Sequence, residues 1–253
     1  MRPIVRGNQP LDSSGKPKSF KDYHNARGDL IDRIGEYCSY CETRLGSSLD
    51  IEHILPQALF PNEEKNWENF CLACTNCNSI KKWAMEKRWN DSWSHLHQAS
   101  AKTAARSEFF WIDRDNTFRC LEYTKGGFIQ VNTSLSTEEK QIAQSTIKMV
   151  GLDRTPNPDP QVKDRRWNNR RQAWDKAERS LENLSKCNTE ESREAMRDQI
   201  ISHAVDKGFW SVWMTVFKDD PDMLQRFIDA FAGTCLDCFD ISGNPIPRQK
   251  GRL

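Results

Sequence analysis

The 253-residue sequence predicts an α+β fold that is mostly α, with a cysteine-stapled β segment and a small antiparallel meander ahead of a helical C-terminal half. Three observations carry that expectation. Two CxxC pairs, Cys38/Cys41 and Cys74/Cys77, bracket a stretch of short apolar runs and turns. The segments EFFWID, FRCLEY and FIQVN follow between Glu108 and Asn132, separated by the turn signals RDNT and TKGG. From Ser136 onward the apolar residues recur at helical spacing.

Each element can be justified in chain order. Residues 1–18 are polar, basic and rich in Pro and Gly, which suggests an extended arm laid over the body. A helix is expected from about Phe20 to Tyr37, with Tyr23, Leu30, Ile31 and Ile34 near one stripe and Ser19 as N-cap. Residues 19–100 form the cysteine-rich core, which ends in a helix from about Ser79 to Trp93, and residues 101–135 hold the meander. Over 136–253, STEE at Ser136–Glu139 is a capping-box pattern that opens a helix near 137–150. Further helices are expected near 160–186, 190–207, 209–218 and 221–232, with TPNPDP (Thr155 to Pro160) breaking the first from the second. The tail SGNPIPRQKGRL reads as loose.

Composition limits the functional classes. The 37 basic and 36 acidic residues nearly cancel, so any contact with nucleic acid has to be local. No run of about 18 apolar residues occurs, and MRPIVRGNQPLDSSGKPK lacks the apolar centre of a secretory signal. A cytoplasmic chain without membrane contact is therefore expected. In a reducing compartment, nine cysteines point to metal ligation before disulfides.

Two knuckles bring four thiolates to one tetrahedral, structural Zn²⁺, with Cys38, Cys41, Cys74 and Cys77 as ligands. Because CLACTNC offers Cys71–Cys74 as a second CxxC, Cys71 in place of Cys77 stays open; Phe70, Cys71 and Leu72 read better as a buried strand end. The segment between the knuckles carries DIEHILPQ and WENF, and CNSIKK follows the last cysteine. Neighbours in a regular strand point to opposite faces, so Glu52 and His53 can share a site only if the strand ends there, as Pro56 suggests.

An acid-histidine pair, a middle asparagine and a third polar residue after a cysteine knuckle, over about Cys38 to Lys82, resemble the HNH (His-Me finger) endonuclease family. The resemblance implies a zinc-stapled ββα-metal core and phosphodiester hydrolysis. It makes His53 the general base that activates water, and Asn69 the residue that holds the catalytic loop. Glu52 then matches the acidic ligand of a catalytic ion and Asn78 its third position, where other members have histidine. Glu52 replaces the family's usual aspartate, which alters the reach to the metal. Oxygen donors of this kind favour Mg²⁺ or Mn²⁺.

The short basic arm, YCSYCE, EHILPQ and WENF before CTNCN also resemble the PtuB-like HNH proteins of Septu-type antiphage systems. Those proteins work with a PtuA ATPase, which implies an ATPase partner and a helical half, 136–253, that handles substrate or partner. A free-standing restriction or homing nuclease, an RNA (tRNA) substrate in place of DNA, and a non-catalytic zinc adaptor stay open. The run KKWAMEKR places Lys81, Lys82, Lys87 and Arg88 where substrate phosphates would lie. A second basic stretch, VKDRRWNNRRQAWDKAER, carries Trp167 and Trp174 seven apart; it reads equally as a core face or as a nucleic-acid contact. His95 and His97 are read as a solvated or helix-end pair before a metal site, Cys235 and Cys238 as buried cysteines near a helix end before a redox or second-zinc pair, and His24 and His203 are assigned no role.

Overall fold

Two short antiparallel sheets and eight α-helices form the regular structure of the described residues, which are 1–46, 49–155 and 164–253 of the computed structural model. A 3₁₀ turn at Tyr23–Ala26, capped by the Asp22 carboxylate on the His24 N–H, leads into α1 (Arg27–Ile34). The helix is shorter than expected because Asp22, rather than Ser19, supplies the cap, and Gly35 at φ 73° ends it.

Strand β1 (Asp50–His53) pairs with β2 (Phe70–Ala73), Asp50 opposite Ala73 and His53 opposite Phe70. Helix α2 (Thr75–Arg88) starts directly after β2, and its N-cap is Cys74, whose Sγ accepts from the Cys77 N–H at 3.4 Å. The second knuckle and the helix cap are thus one structure. That explains a start four residues ahead of the expected Ser79. A π turn, Trp89–Trp93, then seats Trp93 in the core. Helix α3 (Gln98–Ser107) lies where no helix is expected, with exposed His97 as its N-cap.

The meander has two strands, β3 (Leu121–Thr124) and β4 (Phe128–Val131), joined through Gly126 and Gly127 at φ 86° and 77°. The first expected strand, EFFWID, is not one. Phe109–Ile112 are all buried, and their backbone is satisfied by the Thr146 hydroxyl, the Asp115 carboxylate and the Ile4 N–H instead of a neighbouring strand. Helix α4 (Thr137–Val150) has the Ser136/Glu139 capping box and stops at Gly151, φ 61°. Helices α5 (Arg166–Ser185), α6 (Glu190–Lys207), α7 (Trp210–Val216) and α8 (Pro221–Ala230) follow close to their expected spans. The TPNPDP break, from residue 156 on, and the expected helix start at 160 lie outside the described residues.

Both chain ends are tied into the body. The Arg2 guanidinium donates to the carbonyls of Ile34, Phe231 and Ala232. The expectation of a loose tail is wrong: Leu253 is buried, its carbonyl accepts from the Arg248 and Asn116 N–H groups, and the Arg252 N–H donates to Asp115. The helical half also grips the first knuckle. Glu42, at φ 66°, takes the Phe209 N–H on its carbonyl and the Ser211 N–H on its carboxylate.

Candidate active site and zinc centre

The Sγ atoms of Cys38, Cys41, Cys74 and Cys77 all lie within 4.8 Å of one another, with Cys41 and Cys74 3.7 Å apart. A tetrahedral zinc with Zn–S bonds near 2.3 Å sets its sulfurs roughly 3.8 Å apart, so the donor set fits that ion. Cys71 is elsewhere, opposite Glu52 in the sheet with its thiol toward the Tyr40 hydroxyl. Burial pushes the Cys38 and Cys77 thiols up, while hydrogen bonding from Cys38 and its neighbours holds Cys74 well below the usual thiol range. Four thiols this close, three of them buried, need a shared cation to ionise together, and Zn²⁺ would supply it.

Arg166 completes this centre. Its Nη1 donates to Cys77 Sγ at 3.0 Å and to the Val150 carbonyl at 2.8 Å, and Nη2 reaches the Gly151 carbonyl and Asp164. In the basic stretch that begins α5, Arg166 and Arg170 are buried, and Trp174 is buried with them. Cys77 and Arg166 are 89 positions apart, so no local pattern could have paired them.

Glu52, His53 and Asn78 line one cleft of about 170 Å³, together with Tyr23, Gln57 and Lys82. The pair reaches a common face because β1 ends at His53 and the chain turns. Asn69 fixes that turn: its Oδ1 accepts from the Leu55 N–H at 2.8 Å, and its Nδ2 donates to the carbonyls of Leu55 and Glu63. The Asn69 side chain is 1% exposed, so these bonds are made without competition from water.

The His53 ring sits edge-on between Tyr23 and Phe70, with centroids 4.7 and 5.3 Å away. Its Nε2 is 2.8 Å from the Glu64 carbonyl, which can only accept, so Nε2 carries the proton and Nδ1 is the basic nitrogen. Burial lowers the His53 pKa, which favours the neutral imidazole at neutral pH.

Glu52 is buried and ion-paired with Lys81, whose Nζ also donates to the His53 carbonyl at 2.7 Å. Burial pushes the Glu52 carboxyl up, and the Lys81 ammonium opposes that shift. Lys81 lines the same cleft, but it is 1% exposed and its ammonium is held by Glu52, so in this structure it neutralises the site acid. Its spacing of three from Asn78, on one helix face, was the available signal. Arg88 is held by Glu108 at 2.6 Å, Lys82 lines the cleft, and Lys87 lies over the exposed Trp83 ring. The carboxylate and amide of Glu52 and Asn78 are hard oxygen donors that suit a divalent ion with places left for water and phosphate.

No helix of the described residues is long and apolar enough to cross a membrane. No curated protein matches the chain. Residues 38–82, which contain the four clustered thiols, the Glu52–His53 pair, Asn69 and Asn78, match the family model of the HNH endonucleases, and the chain therefore carries an HNH endonuclease domain.

Proposed function

We propose that the protein is a metal-dependent endonuclease that hydrolyses phosphodiester bonds in nucleic acid, with His53 as general base and a zinc-stapled ββα-metal core. The observation that carries this reading is the shared cleft, which His53, Glu52 and Asn78 line together while His53 Nε2 is held by the Glu64 carbonyl. His53 Nδ1 takes the proton from an attacking water, while the Glu64 carbonyl steadies the imidazolium through Nε2–H. Asn69 keeps the 54–55 backbone, and with it the base, in place. Glu52 and Asn78 would hold Mg²⁺ or Mn²⁺, which supplies stabilisation of the charge on the leaving oxygen. Lys82, Lys87 and Arg88 are the exposed cations of α2 available to backbone phosphates, Arg88 being also held by Glu108.

The resemblance to Septu-type proteins carries the reading further, to a cytoplasmic nuclease effector of antiphage defence whose helical half docks an ATPase. The test is incubation of the protein, with and without a PtuA-like ATPase, with labelled DNA and total RNA in Mg²⁺ or Mn²⁺. Cleavage that needs the ATPase supports the effector role, and unaided cleavage supports a free-standing nuclease. No cleavage of either polymer under any condition refutes the enzyme.

A further inference from the structure

Two neighbouring clefts of about 370 Å³ each are walled by cations from four separate stretches of chain. Lys102, Arg106, Arg114, Lys250 and Arg252 line one; Arg6, Arg106, Arg114 and Arg248 line the other, so Arg106 and Arg114 form the wall between them. Acids answer only part of this charge. Glu63 pairs with Lys102, Asp113 with Arg106 and Arg6, and Asp115 with Arg252. Among the described residues no ion pair reaches Arg114 or Lys250, and both are exposed.

A second observation points to an anionic ligand. The Arg106 side chain is 9% exposed, yet its Nε has no hydrogen-bond partner, and the buried Nε of Arg6 has none either. Buried cationic donors without acceptors cost free energy, and a small turn of these guanidinium groups toward an oxyanion seated in the cleft would remove that cost. Nothing in the linear sequence signals the site, because its cations lie at positions 6, 102–106, 114 and 248–252. The ordered tail brings the last of them in.

The clefts are also joined to the base. Lys102 on α3 holds the Glu63 carboxylate, the Glu63 carbonyl accepts from Asn69, and the next carbonyl, that of Glu64, accepts from His53. Gln98, on the same helix, donates to the Leu59 carbonyl. The 56–64 loop therefore separates the His53 cleft from the basic pair and is bonded to both.

We propose that the paired basic clefts bind backbone phosphates of the nucleic-acid strand whose scissile phosphate lies at His53, the strand passing over the 56–64 loop. This rests on the nuclease reading for the identity of the ligand. A free polyphosphate or nucleotide presents the same chemistry, so the experiment separates the two.

His53→Ala protein is titrated with fluorescein-labelled single- and double-stranded oligonucleotides across salt concentrations, alone and with sodium tripolyphosphate or ATP as competitor. In that background the pair Arg114→Gln/Lys250→Gln is compared with Lys140→Gln/Lys218→Gln, which removes two exposed lysines elsewhere. Loss of two phosphate contacts reduces the salt slope by about 1.4 to 1.8 and weakens binding roughly 15- to 30-fold at 0.15 M salt. The control pair leaves the slope where it was. An unchanged slope for Arg114→Gln/Lys250→Gln overturns the proposal, and so does a cleft that takes tripolyphosphate or ATP while oligonucleotide binding ignores the substitutions. Failure of the nuclease reading shows separately, as wild-type protein that binds oligonucleotides but cleaves none, with or without the ATPase, in Mg²⁺ or Mn²⁺.

Discussion

Replacing Lys81 by methionine keeps the buried aliphatic stem and removes the one cation paired with Glu52, whose side chain is 6% exposed. The carboxylate then has two options, to stay charged without a partner or to take a proton. Its ordinary pKa is 4.5, so protonation at pH 7 costs about 3.4 kcal/mol at about 1.36 kcal/mol per pH unit, which caps the electrostatic loss. The lost hydrogen bond to the His53 carbonyl adds about 1 kcal/mol. A deficit of about 4 kcal/mol is expected, in the range of about 3 to 5 kcal/mol for removing one member of a buried pair. In the variant the folded state binds a proton that the unfolded state releases above its ordinary value, so the variant loses stability as pH rises. At pH 5 the carboxyl contribution falls to about 0.7 kcal/mol, leaving a deficit near 2 kcal/mol. Urea unfolding of zinc-loaded protein at pH 5 and pH 7 measures both, and Glu52→Gln/Lys81→Met should recover most of the loss. A deficit under about 1 kcal/mol at pH 7, or the same deficit at both pH values, would refute the account of the pair.

Asn69→Ala leaves the Leu55 N–H and the Leu55 and Glu63 carbonyls without their partner, so urea unfolding should show a loss of about 2 to 3 kcal/mol, with kcat falling more than KM rises. Arg166→Met removes the donor on Cys77, and zinc transfer to a chromogenic chelator should accelerate about 10-fold or more. Cys77→Ser should lose zinc by mass spectrometry and, with it, the soluble fold, since zinc contributes roughly 10 kcal/mol or more to small modules. Burial lowers the His53 pKa and the unprotonated ring is the base, so kcat/KM should rise with pH through a midpoint below the ordinary histidine value of about 6.5; a midpoint above it contradicts the assigned base.

Spacing made much of the candidate site legible. CxxC pairs, an acid-histidine dipeptide and asparagines at compatible intervals are local patterns, and the strands and helix that carry them are built from the same residues. The helical spans from 190 to 230 were readable for a related reason, since Thr189, Asp220 and Pro221 mark helix starts through local chemistry. What could not be read was long-range. EFFWID alternates too little to be a half-solvated strand, but only the contacts of Thr146, Asp115 and Ile4 show why it needs no strand partner. Lys81 looked like a surface cation because its partner is 29 residues away on a strand, and Arg166 because its partner is a thiol 89 residues away. The tail looked loose because Asp115, which holds the Arg252 N–H, lies 137 residues earlier.

The most direct test of the central claim is cleavage by His53→Ala beside wild type, on the nucleic acid that wild type cuts, with zinc content and urea stability measured on the same samples. The expected result is loss of cleavage by about 100-fold or more, in line with removal of a general base, with one zinc per chain and an intact unfolding transition. Unchanged cleavage by a zinc-loaded, folded His53→Ala protein would contradict the account.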